Sequence, residues 1–177
     1  MDKLAKVTGE YTVESIIESM KKINESNSLI YSYGSVLNQK FILYAPCTDK
    51  EIRKLKKAFH YRIPADYLSF LQLTNGLQLT QDARLINADE IIDCQKAFPY
   101  PDNIMVIGQC FCADIEILIN LKQSNSNCVF ITESIGSEYA YGSHLSFIDF
   151  LNIFVSCYGA AFWDWSIDYD NKICLGL

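Results

Sequence analysis

Apolar residues change their spacing near residue 75, from helical spacing before it to strand-like runs after it. Val13, Ile16 and Met20 recur every three or four residues, which predicts a helix over 12–24. Beyond residue 75, the apolar run 103–108 and the alternating stretch 114–121 predict strands. This order of elements is typical of an α+β fold. We therefore expect a single, mostly antiparallel β-sheet covered by helices on one face.

Capping residues predict where individual helices begin. In a capping box, the side chain of the residue before the helix accepts a hydrogen bond from the amide of the third helical residue. The side chain of that third residue accepts one from the amide of the capping residue. Helix starts of this kind, or with a simple serine cap, are predicted at Thr48–Glu51, Asn87–Glu90 and Ser146. Pro64 suits the first turn of another helix, and Gly76 suits the left-handed backbone that ends it.

Two further predictions concern β-strands. We expect the segments 29–33 and 40–45 to pair as a hairpin, because turn residues lie between them. In 114–121 isoleucines alternate with mostly polar residues, which predicts a half-buried strand with one solvated face. The polar positions are Asp114, Glu116 and Asn120. Shorter strands are predicted over 83–86, 128–132 and 172–175.

Composition excludes several classes of protein. The chain has 177 residues, half of them hydrophobic, which suits one folded domain over 1–177 and excludes disorder. Its apolar stretches are too short for a membrane span, and no apolar signal block follows the N-terminus, so we expect a cytoplasmic protein. The net charge of −6 argues against a nucleic-acid partner.

Residues that carry chemistry are few. Seven cysteines without a CxxC pair, and only two histidines, predict reduced thiols and no metal site. No phosphate-binding motif or cofactor signature occurs, so we expect no cofactor and no enzyme activity. Clustered carboxylates leave open the alternative of a small hydrolase. They are Asp89, Glu90 and Asp93; Asp114 and Glu116; and Asp164, Asp168 and Asp170.

Several segments resemble the SUKH superfamily, which includes the Smi/Knr-type domain. The most specific is 63–71, Ile-Pro-Ala-Asp-Tyr-Leu-Ser-Phe-Leu, followed by Asn75-Gly76. Supporting segments are 86–91, 103–108 and 146–151, so the resemblance covers about 12–154 and leaves out the tail 159–177. The chain departs from the family pattern at 109–114, where only Asp114 matches a glycine-rich acidic turn, and at Asn120, where an aspartate is common.

The resemblance implies an α+β fold and no catalysis. Many bacterial members resemble immunity proteins that bind and neutralise a cognate toxin, often a nuclease, whereas fungal members resemble regulators of cell-wall synthesis. The main hypothesis is therefore an immunity protein that acts as a monomer or weak dimer. The alternative is a regulatory scaffold that binds a housekeeping partner.

A nuclease must grip phosphates and so presents a basic cleft, which an acidic surface complements. Aromatic residues are the usual anchors of such interfaces. The predicted contact residues are therefore carboxylates and aromatics: Asp89, Glu90, Asp93, Tyr100, Asp114, Glu116, Tyr139, Tyr141, Trp163, Asp164, Trp165, Asp168 and Asp170.

Overall fold

The computed structural model describes residues 11–26, 30–32, 35–37, 40–98, 100–110, 114–123, 125–134, 137–160, 162–165 and 168–175. The helices in these residues are α1 Val13–Ser26, α2 Asp49–Ala58, α3 Ala65–Leu73, α4 Ala88–Ala97 and α5 Phe147–Ser156. The strands are β1 Ile30–Ser32, β2 Ser35–Leu37, β3 Ile42–Leu43, β4 Leu77–Gln78, β5 Ala83–Leu85, β6 Ile104–Cys110, β7 Ile115–Asn120, β8 Val129–Thr132, β9 Tyr139–Gly142 and β10 Asp168–Cys174.

Eight strands form one antiparallel sheet in the order β10-β9-β8-β7-β6-β5-β4-β3. Every neighbouring pair is antiparallel, so the sheet is a meander that follows the chain. Together with the five helices it confirms the predicted α+β fold with a single main sheet.

The predicted hairpin between 29–33 and 40–45 is wrong. Ile30–Ser32 pairs instead with Ser35–Leu37 in a separate two-stranded ribbon. Ile42–Leu43 joins the main sheet by pairing with Leu77–Gln78. The partner of a short strand is set by distant residues, here those that follow α3, and no local turn signal reports them.

The predicted helix starts are confirmed by their hydrogen bonds. Thr48 and Glu51 form the capping box of α2, and Asn87 and Glu90 form that of α4. The Ser146 hydroxyl accepts from the amide of the third residue of α5. These bonds join residues three apart, which explains why the sequence reports them well.

Both faces of the central strands are buried, which corrects the expected one-sided cover. Every residue of β7 is buried, so the predicted solvated face is wrong at Glu116 and Asn120. One face is covered by α4 and the segment after it, from which Tyr100 reaches Glu116. On the other face, the Gly159 backbone lies against Ala83 and Cys110. Helices and the C-terminal tail therefore enclose the middle of the sheet between them.

The tail completes the core rather than extending from it. Phe162 and Trp163 lie in a short 3-10 turn and pack against the aromatic rings of α5. Strand β10 then pairs with β9 at one end of the sheet. Residues after 159 therefore contribute to the fold, although the resemblance does not reach them.

Candidate functional site

A group of three tyrosines, one exposed and two half-buried, lies at the β10 end of the sheet. The rings of Tyr141 on β9 and Tyr169 on β10 are 5.0 Å apart between centroids, and Tyr169 is 59% exposed. Two residues before Tyr141 in the strand, Tyr139 carries the Lys172 ammonium 4.8 Å from its ring centroid. We call Tyr139, Tyr141 and Tyr169, with the acids around them, the β9–β10 surface.

Carboxylates occur in or next to the strands that carry these tyrosines. Glu133, Glu138 and Asp170 are exposed, and Asp168 begins β10. Partial desolvation and the charge of Glu133 raise the pKa of the Tyr141 hydroxyl. The surface therefore combines aromatic anchors with negative charge, which is the combination expected for binding a basic protein.

Asp168 is held in place by its neighbours. It accepts a hydrogen bond from the Asp170 amide, and its second oxygen lies 2.8 Å from Nε2 of His144. The Asp170 amide and the His144 ring lower the pKa of this carboxyl below its usual range. Asp168 therefore carries its negative charge at neutral pH and ties β10 to the turn that follows β9.

The acids predicted on α4 form a separate group. Asp89 pairs with Lys54 of α2 at 2.5 Å, and Asp93 pairs with Lys96 at 2.9 Å. Glu90 accepts from the Asn87 amide and pairs with Arg84 at 2.9 Å. Each of these charges is already matched within the protein. Glu90 in particular has a structural role at the helix start.

Asp114 lies apart from both groups. It is exposed immediately before β7, with a φ of 51° in the left-handed region. The side chains of Asp164 and Trp165 lie outside the part of the molecule that the structure describes. The predicted contact residues are thus divided among several places, and the β9–β10 surface collects Tyr139, Tyr141, Asp168 and Asp170.

Three predicted contact residues are buried, so the expectation that they lie at the surface is wrong. Glu116 is only 2% exposed, and both of its carboxylate oxygens accept from the Tyr100 hydroxyl, at 2.8 and 2.7 Å. Trp163 is fully buried among the rings of α5. Tyr100 is itself buried. Burial of this kind depends on packing from distant elements, which alternation along one strand does not report.

The burial of Glu116 predicts a pH-dependent stability. Desolvation raises the pKa of this carboxyl, while the Tyr100 hydroxyl opposes the rise. A raised native pKa means that this group stabilises the fold at acid pH, and that this stabilisation is lost as pH rises through the native value. We expect Glu116→Gln, which keeps an acceptor for Tyr100, to be more stable than the natural chain by about 1 kcal/mol at neutral pH.

Urea denaturation checks this prediction at neutral pH and below the ordinary glutamate pKa of about 4.3, where the difference is expected to vanish. Burial also raises the pKa of Asp66. Asp66 is present in both proteins, so its contribution to the free energy of unfolding cancels in the difference. As a control, Tyr100→Phe removes the donor and is expected to cost about 1.5–3 kcal/mol at neutral pH. A stability difference for Glu116→Gln that is independent of pH would contradict the assignment.

Sequence reasoning missed Tyr169, Glu133 and His144. Tyr169 lies between Asp168 and Asp170, and a tyrosine flanked by two acids is a signal that points to an exposed contact. Glu133 and His144 carry no such signal, because only strand pairing brings them near Tyr141 and Asp168.

Among the described residues, no cluster of three or more histidine, cysteine or acidic side chains is arranged to hold a metal ion. The helices of the described ranges also include none that is both long and apolar enough to cross a membrane.

The fold and the surface describe an α+β domain with an exposed tyrosine and carboxylate face. Comparison with known proteins identifies the family of this domain. The model of the SMI1 / KNR4 family (SUKH-1) matches residues 46–153, more than half of the chain. The chain therefore belongs to the SMI1 / KNR4 family (SUKH-1). It is also 22% identical, over 120 residues, to the uncharacterized protein YnaB of Bacillus subtilis (strain 168), covering 67% of this chain and 83% of YnaB.

Proposed function

We propose that this protein is an immunity protein that binds a cognate toxin and neutralises it by stoichiometric association. Membership of the SMI1 / KNR4 family supports a binding role, because many bacterial proteins of the superfamily resemble immunity proteins. The proposed activity is protein binding, and no catalytic step is assigned to any residue.

One observation carries the choice of contact surface. The rings of Tyr141 and Tyr169 contact each other at the β10 end of the sheet, and Asp168 and Asp170 flank Tyr169 in the chain. Exposed aromatic rings bordered by charges are typical of the residues that dominate binding energy. The acids of α4 are less available to a partner, because Lys54, Lys96 and Arg84 already pair with them. We therefore place the toxin contact on the β9–β10 surface.

The charge of the surface suggests the class of toxin. Glu133, Glu138 and Asp170 are exposed in or next to the strands that carry the tyrosines, and the whole chain is acidic. Such a surface speeds association with a basic partner and repels nucleic acid. A nuclease domain with a basic substrate cleft fits both properties, because covering that cleft would exclude its substrate.

The test pairs this protein with the product of the neighbouring open reading frame. We expect coexpression to rescue cells from that product, and pull-down to recover both proteins in equal amounts. The double variant Tyr169→Ala, Asp170→Lys is expected to bind at least about tenfold more weakly, because it removes an anchor and reverses a charge. Isothermal titration calorimetry measures the change.

A matched control makes the same chemical changes elsewhere. Tyr61→Ala with Asp102→Lys alters an exposed tyrosine and an exposed acid outside the β9–β10 surface, and it should leave affinity within about twofold. Full neutralisation by the β9–β10 double variant would place the contact on another surface. Failure of the natural chain to neutralise any neighbouring product would reject the function and favour the regulatory scaffold.

A further inference from the structure

Positive charge is concentrated in one short segment of this acidic protein. Residues 49–62 hold six lysines and arginines against two acids, a net charge of +4. The chain as a whole has a net charge of −6, so the remaining residues carry −10. Most of this segment is helix α2, which therefore presents a local field opposite in sign to that of the rest of the molecule.

Four of the five cations of α2 lie on one face of the helix. Their spacing of three, four and seven residues places them in a stripe about 10 Å long. The stripe consists of Lys50, Arg53, Lys54 and Lys57, all exposed. These four side chains line an open groove together with Thr48, Glu51 and Asp89.

Among the described residues, one of the four cations has an acidic partner. Lys54 pairs with Asp89 at 2.5 Å. In the part of the chain that the structure describes, Lys50, Arg53 and Lys57 are in no ion pair. Three unmatched cations beside one another are thus available to carboxylates from another molecule.

The groove continues toward an aromatic end. A second hollow shares Thr48, Glu51 and Asp89 with the first and also includes Tyr44 and Pro46. Tyr44 is 42% exposed, so its ring is accessible from solvent. One continuous surface therefore runs from the cationic stripe, past a capped helix start, to an exposed aromatic ring.

We propose that this groove is a second protein-docking surface, and that its partner is a peptide segment with several acidic residues and one apolar residue. The acids would lie against Lys50, Arg53 and Lys57, and the apolar residue against Tyr44. A nucleic acid fits less well, because its continuous phosphates would meet the carboxylates of Glu51 and Asp89 in the same groove. The acids of a peptide are separate and avoid these positions.

The test uses synthetic peptides as probes, followed by fluorescence anisotropy at low and at physiological ionic strength. The first probe carries three glutamates at helical spacing and a leucine, the second replaces the glutamates by lysine, and the third is oligothymidylate of similar length. We expect the glutamate peptide alone to bind measurably, more weakly at the higher ionic strength.

The triple variant Lys50→Glu, Arg53→Glu, Lys57→Glu is expected to weaken binding of the glutamate peptide at least about tenfold. Lys54 is kept so that its pair with Asp89 survives. The control reverses three exposed lysines elsewhere and so makes the same change in net charge. It is Lys22→Glu, Lys40→Glu, Lys122→Glu. It should bind the peptide within about twofold of the natural chain.

Equal binding by the natural chain and the triple variant would overturn the proposal. Equal losses in the triple variant and the control would also overturn it, because net charge alone would then explain binding. Tighter binding of oligothymidylate, lost in the triple variant, would assign the groove to phosphates instead. These outcomes are independent of toxin neutralisation, because none of the substituted residues belongs to the β9–β10 surface.

Discussion

Replacing Trp163 by alanine is expected to lower the free energy of unfolding by about 3–5 kcal/mol, as for other fully buried tryptophans. The side chain is fully buried, and its ring centroid lies 6.4, 6.3 and 5.2 Å from those of Phe150, Phe154 and Phe162. Alanine would leave a cavity lined by these three phenylalanine rings. Urea or thermal denaturation measures the loss.

The matched control is Tyr169→Ala, which removes an aromatic ring from the same C-terminal tail. Its ring is exposed, so we expect a change of no more than about 1 kcal/mol. A loss below about 1 kcal/mol for Trp163→Ala would show that the tail is not part of the core. The expected result extends the stable unit beyond residue 153, where the family match ends.

Gly76→Ala is expected to destabilise the protein by about 3 kcal/mol. Gly76 has a φ of 99°, and left-handed backbone costs other residues about 1–2 kcal/mol. A methyl group would also lie 2.7 Å from the Leu85 carbonyl oxygen, which forces the strand to shift. Thermal denaturation measures the effect.

The control for this substitution is Gln72→Ala, on the exposed side of α3, which should stay within about 0.5 kcal/mol of the natural chain. Wild-type stability in Gly76→Ala would mean that the turn relaxes freely. That would conflict with its contacts, since the Thr74 hydroxyl bonds to the carbonyl groups of Tyr44 and Gly76. Asn75 also accepts from the Ala88 amide at the start of α4. The turn thus joins several elements.

The elements that depend on short sequence patterns could be predicted from the sequence. The capping residues Thr48, Asn87 and Ser146 mark helix starts that the structure reproduces, and the meander of strands follows the apolar runs. The candidate site was predictable only in part. Tyr139, Tyr141, Asp168 and Asp170 share one surface, but nothing in their spacing shows that they do, because a strand register joins them.

The sequence by itself determined the class of fold, the helix ends and the acidic character of the chain. These properties depend on composition or on hydrogen bonds between residues a few positions apart. Only the tertiary structure decided which of the charged and aromatic residues reach solvent. It buried Glu116 against Tyr100 and Trp163 against α5, and it left Tyr169 and the cations of α2 exposed. The physical reason is that burial depends on contacts between segments far apart in the chain, which no short pattern records.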